Sequence, residues 1–186
     1  DMGYKIKLLG VTQKTARGLE QRMQPCLVPQ SSPLGQLDGG TNLVVLEGDS
    51  IGQVVLRGPG AGEGPTASAV MADICDIARG ARGPVFGIPA ESLETVPSAK
   101  ATSAAAYYLR MALHDKPGAL AQIATLLGEA GVSIDRMRQY GHRDTSAPVL
   151  IVTHKTTPDA INAALTAIQD TPVLSGDAVA LRIEEV

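Results

Sequence analysis

The sequence predicts an α+β chain in two units: a partial sheet with one helix, then a ferredoxin-like β-α-β-β-α-β unit. Three observations carry this. Over residues 104–186 the apolar pattern switches between a period of two and a period of 3.6, in the order strand, helix, strand, strand, helix, strand. Residues 1–80 hold short apolar runs, then a glycine-rich loop that enters a helical pattern. Between them, residues 81–103 are rich in Pro, Ala, Gly, Ser and Thr, including Pro84, Pro89 and Pro97, and read as a linker.

In the first unit, Lys5–Thr12 and Asn42–Glu47 are apolar runs of strand character. Ile51–Arg57 is a further strand after the turn-like Gly48-Asp49-Ser50. The Pro- and Gly-rich piece from Pro25 to Gly40 reads as loop, with one strand near Pro25–Pro29. Lys5 and Lys7, on an alternating strand, read as solvent-facing. Pro65 suits the first turn of a helix, where its missing N–H costs nothing. Val70, Ile74, Ile77 and Ala78 give that helix one apolar face, and Gly80 is placed to end it.

In the second unit, Tyr107–Leu113 alternates Tyr, Leu, Met, Leu against Tyr, Arg, Ala, a strand with one buried face. Asp115-Lys116-Pro117-Gly118 turns into a helix carrying Leu120, Ile123, Ala124 and Leu127 at i, i+3, i+4, i+7, ended by Gly131. Val132–Tyr140 is a second strand, Arg143–Pro148 a polar turn and Val149–Lys155 a third strand. Thr157 is an N-cap followed by Pro158, opening a helix with Ile161, Ala164, Leu165 and Ile168 on one face. Val179–Ile183 is the last strand.

Hydrophobic residues make up 44% of the 186, enough for real cores, but aromatics are only 3%, so those cores are aliphatic. The net charge is -3 and the 16 basic residues form no run, which argues against nucleic-acid and polybasic membrane contacts. No stretch approaches the ~20 apolar residues of a spanning helix, and Asp1 to Gly10 has no signal-peptide layout, so the expected compartment is the cytoplasm. Cys26 and Cys75 lie far apart and read as free thiols. His114, His142 and His154 make no ligand spacing and read as ordinary residues on or beside strands, so no metal is expected.

The loop Gly58-Pro59-Gly60-Ala61-Gly62-Glu63-Gly64 follows a strand and precedes a helix. Glycines let backbone approach a ligand, and a helix N-terminus presents free N–H groups. It fits neither the Rossmann fingerprint nor the P-loop. Two readings stay open here: a tight turn with small residues for close packing, or a ligand contact.

The run Gly58 to Val70, with Asp73-Ile74 one turn later, is similar to the closing signature of homoserine dehydrogenase catalytic domains. Gly3-Tyr4-Lys5-Ile6-Lys7-Leu8-Leu9-Gly10 resembles the segment after that family's catalytic helix, and Asn42 before an apolar strand also fits. The resemblance implies NAD(P)-dependent interconversion of homoserine and aspartate 4-semialdehyde, with NAD or NADP as cofactor. It implies that Gly62 packs against the nicotinamide end and that Thr66 faces the substrate pocket. The family's dinucleotide fingerprint, catalytic lysine and aspartates lie upstream of what corresponds to Gly3. No catalytic residue is therefore expected in this chain, which alone is expected to be inactive.

Asp115-Lys116-Pro117-Gly118-Ala119-Leu120, followed by Gly131-Val132-Ser133-Ile134, resembles an ACT domain. That implies a small regulatory amino acid, threonine first and isoleucine or methionine as alternatives. Its site would be Asp115, Gly118, Ala119 and Leu120, with Ser133 and Ile134 of a neighbouring copy. Asp115 as a helix cap is a compatible role. A homodimer or higher homo-oligomer is expected. The expected domains are residues 1–80 for the end of the catalytic domain, 81–103 for the linker and 104–186 for the ACT domain. The competing class is a stand-alone amino-acid-binding regulatory or dimerisation module without catalysis.

Overall fold

The computed structural model describes residues 2–141 and 146–185; His142 and the 143–145 part of the expected polar turn lie outside them. The chain opens with an antiparallel hairpin of two twelve-residue strands, β1 (Tyr4–Thr15) and β2 (Gly18–Pro29), paired from Tyr4↔Pro29 to Thr15↔Gly18. The sequence pattern reaches only the last five residues of β2. The rest, Gly18–Gln24, is polar because it points Glu20 and Arg22 into buried ion pairs instead of presenting an apolar face.

β1 also reverses the expected facing. Ile6 and Leu8 are 64% and 68% exposed, and Met23 across the hairpin is 75% exposed. Lys5 and Lys7 take the opposite face: Lys5 Nζ lies 3.2 Å from Asp38, and Lys7 Nζ donates to the Leu37 carbonyl. The pleat puts alternate residues on opposite sides, and here the lysine side is the one closed by the 34–38 loop. The expectation that both lysines face solvent is thus corrected.

β3 (Thr41–Gly48) and β4 (Gly52–Pro59) form a separate two-stranded sheet. The helix α1 (Glu63–Ala78) follows, with Pro65 in its first turn. Gly80, at φ +80°, closes it: its amide bonds to Ile77 O and that of Ala81 to Asp76 O, the paired C-terminal bonds of a Schellman motif. The apolar face is present, yet Val70, Ile74 and Ile77 are all more than half exposed and no α1 residue is buried.

Residues 81–103 hold a short 3-10 turn at Ala90–Ser92 and the two-residue strand β5 (Ser98–Ala99), which pairs parallel to Leu19 and Glu20 of β2. Then come β6 (Tyr107–His114), α2 (Ala119–Glu129), β7 (Ile134–Gln139), β8 (Ser146–Thr153), α3 (Pro158–Gln169) and β9 (Val179–Ile183). Their strands lie in the antiparallel order β9-β6-β8-β7, the ferredoxin-like arrangement predicted from periodicity. β2 adds to the outer edge of β9 through Cys26↔Arg182 and Leu27↔Ile183, so the N-terminal hairpin extends the same sheet.

The core lies between this sheet and the two helices: Leu109, Met111, Leu113, Val149 and Ile151 against Ile123, Leu127, Ile161, Ala164 and Ile168. In α2 the buried stripe runs Ala119, Ile123, Leu127; Ala124, expected on that face, is exposed because the packing follows this i, i+4 row. Thr157 caps α3, its Oγ1 accepting from the Ala160 amide at 3.3 Å, with Pro158 in the first turn. Cys26 is buried and Cys75 half-buried, both free; burial raises the pKa of the Cys26 thiol.

Candidate functional site

Two places hold the residues singled out by sequence. The first is the loop from the end of β4 into α1. Gly62 is the N-cap of α1 at φ +123°, a conformation that side-chain-bearing residues resist, and no side chain caps the helix. Its carbonyl accepts the Thr66 amide at 3.1 Å, so Gly62 and Thr66 close the first turn together. The amides of Glu63 and Gly64 precede the first intrahelical bond and are left for a ligand or water. Gly60 shows why the loop needs glycine a second time: a Cβ there would lie 1.6 Å from Asn42 Nδ2. Asn42 on β3 therefore sits directly under the loop, which joins the sequence-selected Asn42 to the glycine motif.

The second place is the turn from β6 into α2. Gly118, at φ +87°, is the N-cap of α2 and no side chain caps it. Asp115 therefore does not occupy the cap position. The Ala119 amide bonds to Lys116 O at 3.2 Å, which leaves those of Leu120 and Ala121 in the first turn for a ligand or water. Asp115, Gly118, Ala119 and Leu120 all line one cavity of about 220 Å³.

Ser133 and Ile134 do not line it; they stand past the other end of α2, Ser133 accepting the His154 amide on its carbonyl. Gln139 and Ala147 do line it and were missed by sequence reasoning. The available signal was topological: antiparallel pairing of β8 with β6 places Ala147 opposite Leu113 and brings the end of β7 alongside. Among the described residues, no group of three or more His, Cys, Asp or Glu could hold a metal ion.

Residues 1–75 match the family model for homoserine dehydrogenase, and residues 107–173 match that for the ACT domain. The homoserine dehydrogenase of Neisseria gonorrhoeae is 40% identical over 196 residues, covering 100% of this chain and 45% of the relative. That of Pseudomonas aeruginosa is 36% identical, with the same coverage of each. A crystal structure of homoserine dehydrogenase from Thiobacillus denitrificans superimposes with a TM-score of 0.85 at 34% identity, covering 99% of this chain and 43% of that one. The chain thus spans less than half the length of the relatives it matches. It belongs to the homoserine dehydrogenase family and corresponds to the C-terminal part of those enzymes, ending in an ACT domain.

Proposed function

We propose that this chain serves an NAD(P)-dependent homoserine dehydrogenase as the closing segment of its catalytic domain, joined to an amino-acid-sensing ACT domain. The observation that carries this is the union, in one chain, of the Gly58–Val70 loop-and-helix start with a ligand-sized cavity at the β6–α2 turn. The loop fits a nicotinamide contact. Gly62 offers backbone with no side chain, and a Cβ there would meet nothing nearer than Pro65 Cδ at 3.6 Å, so its outer side is open. When bound, the cofactor supplies the hydride. Gly62 would pack against its nicotinamide end, and Thr66, one helical turn on, would face the substrate. We assign domains as residues 1–80, 81–103 as linker, and 104–186 as the sensor.

The β6–α2 cavity suits a small amino acid. Asp115 can meet an α-ammonium in a charge-assisted hydrogen bond. The Leu120 and Ala121 amides at the start of α2 can receive an α-carboxylate. Threonine is the first choice, isoleucine and methionine the alternatives, with Ser133 and Ile134 supplied by a neighbouring copy. Two copies would associate as a homodimer over the apolar face of Ile6, Leu8 and Met23, whose exposure makes a covering partner favourable. For the chain by itself, a regulatory and dimerising role without catalysis is favoured by the bare apolar face of α1.

Titration calorimetry with threonine, isoleucine, methionine and lysine tests the sensor. Threonine heat that disappears in Asp115→Ala, with melting unchanged, supports it. No heat from any of the four at millimolar concentration removes it.

A further inference from the structure

Where β2 meets β9, outside the β6–α2 cavity, Arg22, Arg182 and Glu184 converge on a groove of about 1020 Å³. The groove is bounded by β1, β2, β3, residues 103–106 and the end of β9. Arg182 is buried and Arg22 nearly so, their side chains 7% and 10% exposed, and both lean on a single carboxylate oxygen. Glu184 Oε1 accepts from Arg22 Nε at 3.2 Å and Nη2 at 2.8 Å, and from Arg182 Nε at 2.6 Å. That oxygen is saturated. Arg182 Nη1 is spoken for by the Ser103 carbonyl at 2.8 Å and the Tyr107 hydroxyl at 3.4 Å. Arg22 Nη1 is buried and has no hydrogen-bond partner among the described residues.

The nearby charges do not close the account. Glu20, the second carboxylate, is engaged by Arg17 at 2.7 Å and by Ser103. Of the groups that line the groove, Lys7, Lys14, Arg22, Lys155 and Arg182 against Glu47, Asp49, Glu184 and Glu185 leave one positive charge in excess. The rim pair Lys155–Glu185, at 3.6 Å, neutralises itself. A buried charge without a counterion is strongly unfavourable, and a guanidinium edge with a spare N–H is shaped for a planar carboxylate.

We propose that this groove binds a small monocarboxylate, seated on Arg22 Nη1 at the Arg22–Arg182 pair. One negative charge balances the excess; a doubly charged phosphate would overshoot it beside Glu184. The inference stands independently of the sensor cavity, with which the groove shares no lining residue.

The test is thermal melting of this chain in sodium acetate against sodium chloride at equal ionic strength, with sodium phosphate as a second arm. Acetate should give a saturable rise on the order of 2–4 °C at several-fold excess over its dissociation constant. Arg22→Gln should lose the rise. Arg22→Lys, which keeps the charge and loses the fork, should retain a smaller one. Because Arg22→Gln can itself weaken the fold, the Arg22 Nε–Hε resonance is followed by NMR during the acetate titration of the unaltered chain. A saturable shift of that resonance supports the site. Equal melting in acetate and chloride with a static resonance overturns it, as does a response to phosphate alone.

Discussion

Ser103 Oγ donates to the Glu20 carboxylate at 2.7 Å, and the Ser103 amide donates to the same oxygen at 3.3 Å, across 83 positions of sequence. Glu20 is fully buried, and these bonds, opposed by burial and helped by Arg17, hold its pKa below the ordinary value of 4.5. A carboxylate whose folded pKa is depressed contributes stability that is present above its unfolded pKa. That stability is lost as pH falls through the folded one. Denaturant melts should therefore be flat in this contribution above about pH 5 and weaken below pH 4.5. Glu20→Gln should remove that slope. An unchanged acid slope in the variant would show that Glu20 does not anchor residues 98–103 through its charge.

The reversed facing of β1 predicts the oligomer. Leu8 is 68% exposed beside Ile6 and Met23, so Leu8→Asp should leave the monomer's melting almost unchanged. It should convert a dimer into a monomer in sedimentation equilibrium at micromolar concentration. If the unaltered chain is already monomeric there, this face is not a self-association surface.

Two isoleucines with the same helical spacing signal should respond oppositely to truncation. Ile123 in α2 is 0% exposed, and Ile123→Ala should cost about 2–5 kcal/mol by chemical denaturation. Ile74 in α1 is 51% exposed, and Ile74→Ala should fall within about 0.5 kcal/mol in this chain. A large loss at Ile74 would mean that α1 is covered in solution.

In a full-length homoserine dehydrogenase carrying this segment, Gly62→Val should raise the Michaelis constant for the cofactor or lower turnover. The same change meets a backbone at φ +123°, which costs about 1–3 kcal/mol for a residue other than glycine. Melting must therefore be measured beside kinetics. A variant that folds normally and keeps both kinetic constants would take Gly62 out of the cofactor site.

Local pattern in the sequence determined the β-α-β-β-α-β unit, the Thr157 cap and the glycine ends of α1 and α2. Each of these depends on residues within a few positions of one another: alternation sets a strand's faces, a hydroxyl reaches an amide three residues on, and a glycine accepts φ > 0. The motif around Asp115–Leu120 was likewise legible, and Asp115, Gly118, Ala119 and Leu120 line one cavity. Tertiary structure alone decided the rest. Gly18–Gln24 is a strand because β1 supplies its ladder and because Glu184, 162 positions from Arg22, pairs with that charge while Ser103, 83 positions from Glu20, hydrogen-bonds the carboxylate. The joining of β2 to β9, the inward turn of Lys5 and Lys7, and the arrival of Gln139 and Ala147 at the cavity arise the same way. Their stabilising partners are distant in sequence, and no short-range period records a contact that only closure of the sheet creates.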